Sequence, residues 1–114
     1  SPSAFFAPIQ LAEYQADWIE RCLDYLAREG FDCIEPRAEC EPYWMEMVER
    51  TAAPTLFAKV RSWYYGDNIP GKKHRMLIYL GGYAAYCAEC ESGAEQGYRK
   101  FMLSASRTRA AVTA

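Results

Sequence analysis

Ser62-Trp63-Tyr64-Tyr65-Gly66-Asp67-Asn68-Ile69-Pro70-Gly71-Lys72-Lys73 is the stretch on which the reading of this chain turns. Three adjacent aromatics run into Gly, Asp-Asn and Pro-Gly, residues that favour turns and interrupt both helix and strand. A loop over about residues 58–74 therefore separates the chain into two halves. Loops offer little core, and exposed aromatic rings commonly meet a partner. The three rings are accordingly expected at a contact surface.

Ahead of the loop, Leu11, Tyr14, Trp18, Cys22, Tyr25 and Leu26 recur mostly at helical spacing. Gly30 follows where a left-handed C-terminal cap would stand. The spacing predicts a helix over 11–29. Residues 31–36 are short, extended and closed by Pro36, which predicts a brief strand. A second helix is expected over 38–52, with Pro42 in its first turn, where a missing N–H is tolerated. Its buried stripe would be Trp44, Met47, Val48 and Thr51, and Ala53-Pro54 ends it.

Beyond the loop, 75–80 reads as a compact apolar strand and Gly81-Gly82 as a turn. Residues 83–95 read as a third helix, weakened by Gly93 and ended by Gly97, and 98–103 as a last short strand. Residues 104–114 read as a frayed tail. The fold class is α+β, mostly α-helical with a few short strands. So small a sheet is marginal by itself, and the first residues, Ser1-Pro2-Ser3, include no initiator Met. Both features predict a fragment that packs against neighbours.

Composition narrows the function classes. Of 114 residues 51% are hydrophobic and 15% aromatic, enough to bury a core. A formal net charge of -2 gives no general attraction to nucleic acid or anionic membrane. Apolar runs such as Met76-Leu77-Ile78-Tyr79-Leu80 fall far short of the roughly 20 residues of a membrane span. No signal-peptide pattern opens the sequence. Five cysteines without a regular framework fit reduced thiols in a cytoplasmic protein.

Cys87-Ala88-Glu89-Cys90 is half of a zinc-binding pattern, but Cys22, Cys33 and Cys40 supply no second close pair and His74 is the only histidine. A redox Cys-x-x-Cys uses a helix N-terminus to lower its thiol pKa, whereas this pair falls inside the expected third helix. Packing against a neighbouring element is the simpler reading, and no metal site is expected. Lys72, Lys73, His74 and Arg75 form a basic run that either meets a phosphate or is simply solvated. A lone histidine among cations makes a poor neutral base. No serine or cysteine sits in a nucleophile elbow, and the seven glycines form no phosphate-cradling pattern. Glu39, Glu41, Glu46 and Glu49 are expected to solvate one face of the second helix. No complete catalytic apparatus is expected in the chain.

Three patterns in order carry a resemblance. Ser62-Trp63-Tyr64-x-Gly66-x-Asn68-Ile69-Pro70-Gly71-Lys72, then Tyr79-Leu80-Gly81-Gly82-x-x-x-Tyr86, then Gly97-Tyr98-x-x-Phe101 closely resemble the C-terminal part of Baeyer–Villiger-type flavin monooxygenases. Ser1-Pro2-Ser3-Ala4 and Gln15-x-x-Trp18-Ile19 are similar to the family's segment after its flavin-contacting strand. The resemblance covers nearly the whole chain. It implies an FAD- and NADPH-dependent enzyme that inserts oxygen next to a ketone carbonyl, giving an ester or lactone, with the chemistry carried largely by the cofactor. The dinucleotide-binding glycine motifs, the family fingerprint and the active-site arginine and aspartate would lie upstream. The chain would complete the FAD-binding domain and be inactive alone.

By the same resemblance, Trp63 matches the tryptophan of a mobile control loop, whose indole N–H reaches the bound nicotinamide when the loop closes. Indole suits that role, with a flat apolar face and one donor. Asn68 and Lys72 match further cofactor-side positions, and Pro70 and Gly71 shape the loop. Closure would exclude water from a reactive intermediate. Ser3, Ala4 and Phe5 match a bulge that lines the substrate pocket. The implied partners are upstream FAD and NADP domains of the same polypeptide and a ketone-type small molecule, with no nucleic acid and no membrane span.

Two departures accompany the match. Asp67 stands where a small residue is usual and adds a negative charge to a loop that approaches a phosphate-bearing cofactor. Ala7-Pro8 replaces the usual pair near the flavin, and Pro8 has no N–H to donate. Phe5 and Phe6 are also bulkier than the family's pocket residues, which implies an altered substrate preference. Two other readings stand beside this one: a free-standing α-rich interaction module that grips a partner with its aromatic loop, and a related flavin monooxygenase that oxidises nitrogen or sulfur.

Overall fold

The structure, a computed structural model, describes residues 6–105. Helix α1 (Pro8–Glu29) opens on a proline, whose ring pre-sets a helical φ and whose absent N–H would have been an orphan anyway. Its core-facing stripe is Leu11, Cys22 and Leu26, all buried, with Tyr14, Trp18 and Tyr25 half-buried between them. Gly30 ends it at φ 76°, and Phe31 N–H donates to the Leu26 carbonyl at 2.8 Å. That left-handed turn is cheap for glycine alone.

Strand β1 (Cys33–Pro36) follows, then helix α2 (Cys40–Ala52) with Pro42 in its first turn. Helix α2 buries Met47, Val48 and Ala52, while Trp44 and Thr51 are half-buried. Two short 3-10 turns, Leu56–Lys59 and Trp63–Tyr65, punctuate the connection to helix α3 (Tyr83–Glu95). Strand β2 (Phe101–Ser104) closes the order and pairs antiparallel with β1, from Cys33 opposite Ser104 to Pro36 opposite Phe101. The described residues are thus mostly helical with a single two-stranded sheet.

Residues 75–80, expected as a strand, are not one. Among the described residues no strand pairs with them, and they hold a single bridge position at Tyr79. Their N–H groups go to other elements. Arg75 and Leu77 donate to the carbonyls of Tyr65 and Tyr64 at 3.3 and 2.9 Å. Met76 donates to the Glu49 carboxylate at 2.9 Å and Leu80 to the Thr51 hydroxyl at 3.4 Å. A buried backbone must place its donors somewhere, and helix α2 provides the acceptors a sheet would otherwise supply. Glu49 therefore does not merely solvate the helix, as its spacing suggested.

The core divides in two along α1. Near the helix N-terminus, Leu11, Met47, Val48, Ala52, Tyr65, Met76, Tyr79 and Tyr86 form one cluster. Met76 and Val48 are 1% exposed, and each such burial stabilises by roughly 1.5–3 kcal/mol. Tyr79 stacks on Trp44 at 5.7 Å, and its hydroxyl lies 2.1 Å from where a Cβ on Gly81 would stand. Glycine at 81 is required by that close approach.

Toward the C-terminal end of α1, Cys22, Leu26 and Tyr98 form the second cluster. Tyr98 has φ 59°, which is strained for an aromatic residue. It is held there between Trp18 and Tyr25, at centroid distances of 5.4 and 5.0 Å. With two small cores end to end, the Cα radius of gyration is 17.4 Å, against about 13 Å for a compact domain of this length.

Candidate functional site

The loop of residues 62–74 is built from the core outward. Ser62 caps the second 3-10 turn, its hydroxyl accepting from Tyr64 N–H at 3.2 Å. Gly66 leaves the turn at φ 76°. Tyr65 is buried at 3% exposure and Tyr64 is half-buried against Phe57, at a centroid distance of 5.6 Å. The expectation of three rings at a surface holds only for Trp63, which is 62% exposed. A 3-10 turn sends consecutive side chains about 120° apart, so one ring points inward, one lies along the surface and one projects. Among the described residues the Trp63 indole N–H donates no hydrogen bond. Its ring rests on Tyr64 at 4.0 Å between centroids.

Asn68 and Lys72 occupy the same loop and both are exposed. The alkyl chain of Lys72 lies across Gly66, where an added Cβ would meet Lys72 Cδ at 2.8 Å. Ser3, Ala4 and Phe5 lie outside the described residues. His74 is not part of a solvated basic run: its ring stacks on Tyr65 at 4.3 Å with a 3° interplanar angle, and its Nδ1 sits 2.7 Å from Asp67 Oδ1. The other Asp67 oxygen accepts from Ser62 N–H at 2.8 Å. Those two contacts, the His74 one first, hold the Asp67 carboxyl below its ordinary range. The charge that Asp67 adds is answered within the loop.

Cys87 and Cys90 are partly buried against the first core cluster. Along α1, Trp18 donates to the Cys90 carbonyl at 3.1 Å, the Tyr14 hydroxyl lies 3.2 Å from the Cys87 carbonyl, and Gln15 donates to the Tyr86 hydroxyl at 2.9 Å. Burial pushes the Cys90 thiol up, the opposite of what a redox or metal-binding thiolate needs. All five cysteines are free of disulfides.

Arg21 completes the α1–α3 seam with a two-pronged contact to Glu91 at 2.6 and 2.8 Å, and Tyr14 adds a third hydrogen bond at 2.7 Å. Periodicity alone did not reveal this seam, although the polar tips at 14, 15, 18 and 21 follow one helical face. Arg21, and then Tyr14, hold the Glu91 carboxyl at about 2, below the ~4.3 of a free glutamate. A depressed folded value means the contribution is complete above the free range and lost as pH falls toward 2. Arg21 is 50% exposed, so solvent screening limits the contribution to about 1 kcal/mol. Urea unfolding is expected to show the chain about 1 kcal/mol more stable than Glu91→Gln near pH 6, with no difference near pH 2. An advantage that persists at the lower pH would rule out the ion pair as its source.

No family model matches the chain. Over 92 residues, 81% of this chain, it is 39% identical to acetone monooxygenase (methyl acetate-forming) of Gordonia sp. (strain TY-5), of which the match covers 17%. The crystal structure of cyclohexanone monooxygenase from Rhodococcus sp. Phi1 bound to NADP+ aligns at a TM-score of 0.79 and 34% identity, covering 93% of this chain and 20% of that one. The chain is homologous to a segment of the Baeyer–Villiger monooxygenases. The chain spans about one fifth of the length of the relatives it matches. It is also 38% identical over 91 residues to phenazine N-monooxygenase PhzNO1 of Lysobacter antibioticus, covering 80% of this chain and 17% of that protein. Among the described residues no helix is long and apolar enough to cross a membrane.

Proposed function

We propose that the chain is the C-terminal part of an FAD- and NADPH-dependent monooxygenase that inserts oxygen next to a ketone carbonyl, and that it is inactive alone. In this reading the 62–74 loop is a lid that brings Trp63 to the nicotinamide cofactor. One observation carries it: of three consecutive aromatic rings, only Trp63 is left 62% exposed, on a turn otherwise anchored in the core.

The residues present fit such a role. An indole offers a flat apolar face and one donor, and the exposed Asn68 and Lys72 add an amide and a cation on the same loop. FAD and NADPH would be held mainly by residues outside this chain and would supply the electrons and the activated oxygen. The chain's own part is to orient the cofactor through Trp63, to exclude water by closure and, through Ser3, Ala4 and Phe5, to line the pocket for a ketone-type substrate. Its five disulfide-free thiols suit a cytoplasmic enzyme.

Upstream FAD and NADP domains of the same polypeptide would complete the fold. Ile19 and Leu23 are 53% and 59% exposed, beside Trp18, Cys22, Ile34 and Phe101 in an apolar groove. That surface favours being covered.

Nitrogen oxygenation is a second reading, favoured by the similarity to a phenazine N-monooxygenase. Oxygen-dependent NADPH consumption by the full-length protein separates the two. Cyclic and linear ketones are expected to stimulate turnover and yield esters or lactones. Stimulation by aromatic N-heterocycles or sulfides, without ketone conversion, would overturn the Baeyer–Villiger reading.

A further inference from the structure

We propose that Asp67 and His74 form a latch that positions the Trp63 loop, making both of them positioning residues for cofactor engagement. The inference rests on the reading of Trp63 given above. Its basis is the geometry of one carboxylate with two tethers. One Asp67 oxygen receives the backbone N–H of Ser62, the residue immediately before Trp63. The other meets His74 Nδ1 at 2.7 Å, at the far end of the loop. The Asp67 side chain is 12% exposed while that of His74 is 53% exposed, so the carboxylate is the inner member of the pair.

The histidine in turn is fixed by stacking, parallel within 3°, on the buried Tyr65. The two ends of a Gly- and Pro-containing loop are thereby tied to each other and to the core. Arg75 N–H donates to the Tyr65 carbonyl just beyond the histidine and reinforces the closure. Lys72, folded over Gly66, closes the remaining side.

A loop of this composition loses substantial backbone entropy when ordered, roughly 1–2 kcal/mol per residue. Tethers that hold it ordered before the cofactor arrives reduce what cofactor binding must supply. Removing them should therefore weaken apparent NADPH affinity while leaving the step after closure intact. The expected signature is a split, with KM for NADPH raised and kcat little changed.

Two measurements on Asp67→Ala and His74→Ala test the latch. Both residues lie outside the core clusters, so both variants should fold. Amide exchange in the full-length enzyme is expected to be about tenfold faster at Ser62 in each variant. In the double variant the effect should be no larger than in Asp67→Ala alone, which already removes both tethers. Asp67→Asn, which keeps an oxygen for Ser62 N–H, should restore part of the protection. In the full-length enzyme, KM for NADPH should rise roughly three- to tenfold with kcat within about twofold. Unchanged exchange in both alanine variants would overturn the latch. Faster exchange with unaltered NADPH kinetics would overturn the positioning role, while failure of the Trp63–nicotinamide reading shows separately as unaltered NADPH kinetics in Trp63→Ala, so the two failures are distinguishable.

Discussion

Trp63→Ala in the full-length enzyme is expected to lower kcat/KM for NADPH by about 10- to 100-fold, a loss of roughly 1.4–2.7 kcal/mol of transition-state stabilisation. The physical basis is the division of labour among three neighbouring rings. Tyr65 is core, Tyr64 is wedged against Phe57, and Trp63 projects with 62% of its surface exposed. An exposed ring contributes little to folding, so the unfolding midpoint should move by less than about 1 kcal/mol equivalent. Trp63→Phe keeps the apolar face and removes the donor, and should fall between the two. The result that sinks the lid role is the reverse pattern: several kcal/mol of stability lost, as for a buried tryptophan, with NADPH kinetics retained.

The largest stability effect is expected at Tyr86. Its ring lies 5.9–6.3 Å from Tyr79, Phe6, Tyr14 and Trp44, and its hydroxyl accepts from Gln15. It joins α3 to both α1 and the core on α2. Tyr86→Ala removes a ring that four others pack around and should cost about 3–5 kcal/mol. Small domains have only about 5–15 kcal/mol to lose, so urea unfolding of the variant chain should begin near zero denaturant. Tyr86→Phe removes only the hydrogen bond and should cost about 1 kcal/mol. Equal costs for the two substitutions would mean that the hydroxyl, not the ring, holds the helices together.

Periodicity and punctuation made the helices legible. Leu11, Cys22 and Leu26 share a face because helical spacing puts them there, and Gly30 ends α1 because the left-handed turn favours glycine. The order Trp63, Gly66, Asn68, Pro70, Gly71 and Lys72, with the two later patterns, was enough to reach the enzyme family. That information is local or linear, and a single sequence carries it.

The segment 75–80 marks where such reading stops. Its apolar run suits a strand, but a strand exists only if another edge accepts its hydrogen bonds. Here Glu49 and Thr51, side chains on a helix more than twenty residues away, accept from Met76 and Leu80, and the Tyr64 and Tyr65 carbonyls accept from Leu77 and Arg75. Asp67 and His74 follow the same logic. In the sequence they are a charge out of place and a histidine in a basic run. They become a pair only because the turns between Gly66 and Lys72 bring the two residues within 2.7 Å of each other. Pattern and propensity are properties of neighbours along the chain, and they name the helices, the loop and the family. Which donor finds which acceptor is a property of neighbours in space, and it fixed the unpaired segment, the Arg21–Glu91 seam and the anchorage of the loop that bears Trp63.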